Sequence, residues 1–433
     1  MGKKAALHNL GCKVNAYETE AMRQLLEEAG YEIVPFAPGA DVYVINTCTV
    51  TNIADRKSRQ MLHRAKKMNP DAIVVATGCY VQTAQIPPED DSAVDLVLGN
   101  NQKGDLVRAL RMFEETRCGN EICEIGTIRE YEKLSITRTE EHTRAYIKVQ
   151  DGCNQFCTYC IIPYARGRVR SRQVSDVLRE VRELAQNGCR EVVLTGIHLS
   201  SYGSDLGTSL LSLIQEVHEI PGIARIRLGS LEPGIITGEF ARALRALPKV
   251  CPHFHLSLQS GSDPVLKRMN RRYTTAEFEE KCTILRETFD LPAITTDVIV
   301  GFPQETPEEF NETVAFLERI RLYETHIFKY SRRHGTRAAA MSGQISESEK
   351  GVRSNELLAL GEQNRTRFEE QQIGRTSEVL FEEKLQINGE WYFTGYTREY
   401  IRAAIPASQD YTNRILEGRL KRSIAGHVLF FEA

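Results

Sequence analysis

The chain has 433 residues, 41% of them hydrophobic and 26% charged, with a net charge of −3. That length suits about two to four domains, each with its own core, and the near-neutral charge excludes a globally basic nucleic-acid binder, so any RNA contact must be local. Eleven cysteines in so long a chain argue against a secreted disulfide scaffold and for metal or redox use in a reducing compartment.

No apolar run approaches the roughly 18–20 residues that span a bilayer. The start, Met1 to Leu7, runs into polar His8 and Asn9, so no signal-peptide core forms. Ala6 stands where a myristoylation signal has Ser or Thr. A cytoplasmic protein without membrane contact is expected.

Residues 1–116 alternate strand and helix patterns. Strands are predicted at Ala5–Leu10, Val42–Asn46, Ala72–Ala76 and Val94–Leu98, and helices over Tyr17–Gly30, through Ser58 to Ala65, and over Asp105–Glu115. Such alternation implies a parallel sheet covered by helices. Cys12, Cys48 and Cys79 each follow one of these strands. In open α/β sheets that edge is where ligands bind, so three thiolates converging there would make a three-cysteine site. Three unrelated small core cysteines are the alternative.

Residues 117–140 read as a connection, with Cys118 and Cys123 as ordinary thiols and a polar end, Thr137 to His142. A β/α pattern then resumes over 141–371. Strands are expected at Ala145–Gln150, Glu191–Ile197, Arg225–Leu231, Phe254–Gln259, Ile294–Val300 and Thr325–Tyr330, with helices such as Ser175–Ala185, Ser209–Glu219 and Thr275–Phe289 between them. Six such units suggest a partial (β/α)6 barrel with its site at the carboxyl ends of the strands. After a polar helical stretch, Ser346–Gln371, residues 372–433 read as short strands: Thr376–Phe381, Trp391–Tyr400, Arg402–Ile405 and Ala425–Phe431. Turn signals at Asn388-Gly389 and Glu417-Gly418 separate them, as in a small antiparallel β-barrel. The fold class is α/β throughout, with this barrel appended.

Just past the first barrel strand comes Asp151-Gly-Cys153-Asn-Gln-Phe-Cys157-Thr-Tyr-Cys160. Four ligands close a zinc site, whereas three leave a position open, and closely spaced thiolates are how proteins hold iron–sulfur clusters. Zinc or buried free thiols are the alternative. This spacing resembles the signature of the radical S-adenosylmethionine (SAM) superfamily, in which the iron without a protein ligand chelates the amino and carboxylate groups of SAM.

Candidates for a SAM cradle are Thr195 and Gly196, Ser230 and Glu232, Ser257 and Gln259, and Asp297, all at the ends of predicted strands. Each could equally serve a turn or a helix cap. Arg166, Arg168, Arg170 and Arg172 would share one side of an extended backbone beside the cysteine loop, and Arg332 and Arg333 lie on the same predicted rim. Guanidinium groups there suit a polyanion; an ion-paired face is the alternative.

Taken together, these stretches resemble the radical SAM methylthiotransferases over nearly the whole chain. Thr195-Gly-Ile-His-Leu-Ser-Ser-Tyr-Gly203, His255-Leu-Ser-Leu-Gln-Ser-Gly261 and Asp297-Val-Ile-Val-Gly-Phe-Pro303 add to the likeness, as does a C-terminal region similar to TRAM, an RNA-binding β-barrel. The resemblance implies two 4Fe–4S clusters and SAM. Cys153, Cys157 and Cys160 would hold the radical-generating cluster. Cys12, Cys48 and Cys79 would hold an auxiliary one carrying the sulfur to be inserted. It also implies tRNA as partner and a low-potential electron donor of flavodoxin or ferredoxin type.

Asn9-Leu-Gly-Cys-Lys-Val-Asn-Ala-Tyr-Glu-Thr-Glu20 looks most like the branch that methylthiolates C2 of N6-threonylcarbamoyladenosine at position 37 of tRNA. The isopentenyladenosine branch usually begins Tyr-Gly-Cys-Gln-Met-Asn, and the branch acting on a ribosomal-protein aspartate carries Cys-Pro-Lys-Asn. A non-enzymatic iron–sulfur RNA-binding redox sensor is the reading from another class.

Overall fold

Aliphatic and β-branched runs too short for helices alternate with amphipathic segments from the start of the chain. In the computed structural model, which describes residues 2–84, 91–117, 122–139 and 143–433, they form β1 (Lys4–Asn9), α1 (Lys13–Glu28), β2 (Glu32–Ile33), β3 (Val42–Thr47), α2 (Asn52–Met68), β4 (Ile73–Gly78), α3 (Cys79–Thr83), β5 (Leu96–Leu98) and α4 (Leu106–Thr116). The strands make a parallel sheet in the order β2-β1-β3-β4-β5. Every residue of β3 is buried, because helices cover both faces. Met22, Leu26 and Leu110 pack on one face and Leu62 and Ala65 on the other.

Two features differ from expectation. Strand β2 has only two residues, too few to show a period, yet it places β1 inside the sheet and a switch point between β1 and β3. Helix α1 starts at Lys13, with Cys12 as its extended N-cap (φ −78°, ψ −177°), four residues before the apolar periodicity begins.

The central region contains β6 (Arg144–Asp151), α5 (Ile162–Arg166), β7 (Arg170–Ser171), α6 (Val174–Gln186), β8 (Glu191–Gly196), α7 (Leu210–His218), β9 (Arg225–Leu228), α8 (Gly238–Arg245), β10 (His253–His255), α9 (Asp263–Arg268), α10 (Thr275–Thr288), β11 (Ala293–Val300), α11 (Pro307–Ile320) and β12 (Glu324–Lys329). Strands β6, β8, β9, β10, β11 and β12 run parallel in that order, with β9 and β10 joined through a bridge at Leu231 and Leu256. Among the described residues β6 and β12 do not pair, so the barrel stays open on one side. Tyr17 and Ala21 of α1 belong to the barrel's apolar core, so one helix serves two layers.

The connecting stretch has no helix or strand among its described residues, but Leu134 and Ile136 are buried in that same core. Cys118 and His142 lie outside the described residues. The arginine run is not one extended strand: Arg166 ends α5, and only Arg170 and Ser171 pair, with Asp151 and Gln150.

Helix α12 (Glu347–Gln372) leads to β13 (Thr376–Ile387), β14 (Glu390–Thr397), β15 (Arg402–Pro406), β16 (Ile415–Ala425) and β17 (Val428–Glu432). These close into a barrel, antiparallel except for β15 with β17. Asn388 and Gly389 turn the first hairpin with φ of 51° and 89°, the positive angles a tight two-residue turn needs. Glu417-Gly418 is not a turn. It lies within β16, where a Cβ at Gly418 would come 2.3 Å from the Glu432 carbonyl, so this glycine serves close strand packing. The barrel is fixed to the central sheet by Arg225, which donates to the carbonyls of Tyr396 and Glu378 (2.9 and 2.8 Å), and by Arg227, which donates to those of Arg398 and Thr397 (2.9 and 3.2 Å).

Candidate active site: two cysteine trios and the gap between them

Cys12 caps α1, Cys48 follows β3, and Cys79 opens α3 directly after β4. The parallel sheet thus brings three distant thiols to its carboxyl edge, beside the switch point. They are near enough to influence one another's ionisation, and burial pushes the Cys48 thiol up to about 11. Cys79 Sγ accepts from Arg166 Nε at 3.2 Å.

Cys153, Cys157 and Cys160 occupy the loop after β6. Burial raises Cys153 to about 11 and Cys160 to about 12, with each other's charge and that of Cys157 adding to the effect. Cys157 Sγ accepts from Arg271 Nη1 at 3.2 Å, and Arg271 Nη2 holds both carboxylate oxygens of Glu232 at 2.8 and 2.7 Å. Gln150 braces the loop from behind: its side chain donates to the Asp151 and Gly152 carbonyls and accepts from His198 N, each at 2.7 Å.

Two observations test whether these thiols suit a cluster. Thiolates sharing one zinc stand about 3.8 Å apart, as 2.3 Å bonds in a tetrahedron require. Among the described residues, only His255, Asp297 and His326 bring three ligand atoms within 4.8 Å of one another. Both cysteine trios are therefore spread wider than a single ion allows and fit a larger, polynuclear body.

The second observation is charge. Behind Cys79, buried Glu18 and Asp151 face four buried cations: Arg166, Lys103, Lys148 and Arg170. Burial works to raise Glu18, but Arg166, Lys103 and Lys148 hold it well below the usual carboxylate range. Two positive charges remain unmatched in the interior, which is costly unless an anion lies beside them. Thiolates on a cluster are such an anion.

The two trios face a shared gap. A cavity of about 240 Å³ is lined by Val50 and Thr51, which follow Cys48, and by Tyr159, Cys160, Gln259 and Asp297 of the barrel. Of the expected cradle residues, Gln259 and Asp297 line it. Glu232 and Ser257 lie instead around Arg271, which also donates to the Ser257 carbonyl at 3.3 Å. Ser230 is exposed and Thr195 buried. A Cβ at Gly196 would meet Gln150 at 2.8–3.1 Å, so this glycine makes room for the brace.

The arginines divide. Arg166 binds Glu18 and Asn15, Arg170 the carbonyls of Arg166 and Arg168, and Arg172 binds Glu180 and Tyr17. Arg333 clamps Asn52, Thr49 and Asp55 across the gap (2.6–2.8 Å). All four are buried ion-pair members, not a phosphate-binding face; only Arg168 and Arg332 are exposed. Spacing could not reveal this, because the carboxylate partners of Arg166 and Arg333, Glu18 and Asp55, lie over a hundred residues away. Arg271 and Glu18 were missed for the same reason.

Such a site and barrel define a radical SAM protein with a second three-thiol domain. The chain matches the Radical SAM superfamily over residues 147–317 and the Uncharacterized protein family UPF0004 over residues 4–99. It is 41% identical to Threonylcarbamoyladenosine tRNA methylthiotransferase MtaB of Bacillus subtilis, covering 96% of this chain and 94% of that one. It is 43% identical to the protein of the same name in Aquifex aeolicus, covering 90% and 95%. Identity to tRNA-2-methylthio-N(6)-dimethylallyladenosine synthase of Acetivibrio thermocellus is 36%, covering 92% and 84%. Among solved structures, the radical SAM methyltransferase TsrM of Kitasatospora setae matches with a TM-score of 0.57 at 17% identity, over 77% of this chain and 76% of that one; the likeness is one of fold. The chain belongs to the family of radical SAM tRNA methylthiotransferases.

Proposed function

We infer that the protein methylthiolates C2 of N6-threonylcarbamoyladenosine at position 37 of tRNA. The observation that carries this reading is the pair of three-thiol sites on either side of one cavity, in a chain whose relatives at 41% and 43% identity bear the threonylcarbamoyladenosine name. Cys153, Cys157 and Cys160 would hold one 4Fe–4S cluster, and Cys12, Cys48 and Cys79 the other. Bound there, the first cluster with SAM supplies a hydrogen-abstracting radical and the second supplies sulfur.

The chain's own residues do the positioning. Arg271 and Arg166 each direct an N–H at one cysteine sulfur, and Glu232 and Glu18 fix those guanidinium groups from behind. Arg333 holds the loop after Cys48 against the end of β12, which narrows the gap and limits water. Gln259 and Asp297 are the polar groups of the cavity wall available to SAM or the base.

RNA would meet the terminal barrel. Trp391 is 54% exposed there, with Lys384 Nζ 5.1 Å from its ring, a stacking surface beside a cation. A low-potential flavodoxin or ferredoxin would donate electrons, in the cytoplasm. In a deletion strain, mass spectrometry of digested tRNA should show the 2-methylthio form of threonylcarbamoyladenosine lost and its precursor accumulated. Unchanged nucleosides would overturn the reading, and loss of the isopentenyl form instead would reassign the substrate.

A further inference from the structure

The threonylcarbamoyl group ends in a carboxylate, and a buried carboxylate needs a cation not already committed. Arg166, Arg271 and Arg333 have carboxylate partners of their own. Arg227 is paired with Glu191 and Arg144 with Glu382, and both lie over the Tyr400 ring, at 4.7 and 5.0 Å.

Lys13 is different. It follows Cys12 at the start of α1 and is exposed, and among the described residues it makes no hydrogen bond or ion pair. The charges it senses are not those of its own sheet: Arg227, Arg144 and Asp297 all belong to the barrel. The side chain therefore reaches from the N-terminal domain into the lumen on the open side of the barrel.

That lumen carries a further group. His255 Nε2 lies 3.3 Å from Asp297 Oδ2, while its Nδ1 is 2.9 Å from Thr295 Oγ1. The His326 ring stacks on His255 with centroids 5.7 Å apart, and His326 is exposed. His253, one turn of the pleat below, senses Lys13, His255, His326 and Arg227 together. The three ligand atoms of His255, Asp297 and His326 are close enough for a metal ion. A dication would, however, stand among Lys13, Arg144 and Arg227 with one carboxylate to balance it, whereas an anion meets a surplus of positive charge. Asp297 also lines the cavity between the trios, so the lumen group and the reaction gap are continuous.

We propose that Lys13 and His326 form the pocket for the carboxylate of the threonylcarbamoyl group, with Asp297, held by His255, accepting from that group's N–H or hydroxyl. The proposal rests on the substrate reading above and deepens it. An isopentenyl group has no charge to place there, so this pocket sets specificity. The amino-acid carboxylate of SAM has the same chemistry, and the test must separate the two.

The experiment uses reconstituted holoenzyme and an anticodon stem-loop carrying threonylcarbamoyladenosine, alongside the same RNA with its threonyl carboxylate converted to the amide. Binding is read by fluorescence anisotropy and product by mass spectrometry, and the KM for SAM is measured in parallel. Wild type should prefer the acid to the amide by roughly 10- to 100-fold, the range for a charge-assisted hydrogen bond. Lys13→Met should erase that preference, and His326→Leu should reduce it severalfold.

Equal binding of acid and amide by wild type would overturn the pocket, as would an undiminished preference in Lys13→Met. A raised KM for SAM with the RNA preference intact would assign Lys13 to SAM and also overturn it. If Lys13→Met cannot be loaded with iron beside Cys12, the wild-type comparison and His326→Leu decide. Wild type that methylthiolates neither RNA refutes the substrate reading itself; wild type that modifies acid and amide alike refutes only the pocket.

Discussion

Cys153, Cys157 and Cys160 come from one loop, whereas Cys12, Cys48 and Cys79 come from the ends of three strands. Both trios receive one guanidinium N–H on one sulfur at 3.2 Å, and both guanidinium groups are backed by a glutamate. The difference lies in where those partners originate. Arg271 and Glu232 belong to the same barrel as the thiols they serve. Arg166 comes from α5 of the barrel but serves Cys79 of the N-terminal sheet, and it pairs with Glu18 of α1. The N-terminal trio is thus completed only when the two domains dock, while the central trio is complete within its own barrel.

The sharpest break between the two sites is chemical. Cys157→Ala should abolish reductive cleavage of SAM to 5′-deoxyadenosine. Cys48→Ala should retain that cleavage and form no methylthio product. Both activities are measured on the reconstituted variants by chromatography and mass spectrometry. Equal loss of cleavage in both, with the other cluster intact by iron content, would contradict the division of roles.

The next contrast is structural. Glu18→Gln removes one partner from a fully buried ion network and should cost about 3–5 kcal/mol, read as a lower urea midpoint, with iron lost from the N-terminal site. Glu232 is partly exposed, so Glu232→Gln should cost about 1–3 kcal/mol and leave the N-terminal iron in place. Similar losses from both variants would remove the distinction between an interface site and a self-contained one.

The same network sets an acid limit. Glu18 and Asp151 are both held below their ordinary values in the folded chain; burial opposes this, but neighbouring lysines and arginines outweigh it. A depressed carboxylate stabilises the fold above its unfolded pKa, about 3.9 for Asp and 4.3 for Glu, and loses that contribution as pH falls towards the folded value. Urea unfolding should therefore show little change from this pair between about pH 8 and 5 and a decline below about pH 4.5, and Glu18→Gln should flatten that decline.

The central trio was legible because its chemistry is local: three cysteines within one loop state their use by spacing. The N-terminal trio was legible only through topology, since each cysteine follows a strand of a sheet read from hydrophobic runs. Neither route reaches the partners. Glu18 sits in an amphipathic helix as one acid among several, and Arg166 in a basic run that reads as a surface. Only the docking of α1 on β6 joins them. The two-residue β2 and the glycine inside β16 escaped for a simpler reason: neither is long enough or patterned enough to announce itself.

The smallest expected effect concerns what remains of the basic rim. Arg168 is exposed and lies 4.7 Å from the Phe156 ring, beside the cysteine loop, while Arg166, Arg170 and Arg172 around it are buried. Only the exposed arginine can release a counterion when RNA binds. Arg168→Ala should weaken tRNA affinity a few-fold and lower the slope of log affinity against log salt by about one. It should do so with either the modified or the unmodified base, because a phosphate contact carries no sequence information. Trp391→Ala on the terminal barrel should cost more, about 1–3 kcal/mol by loss of stacking, and leave the salt slope unchanged. A salt titration of both variants separates charge from stacking. An unchanged slope in Arg168→Ala would mean that the RNA approaches over the terminal barrel alone and leaves the rim of the central trio uncovered.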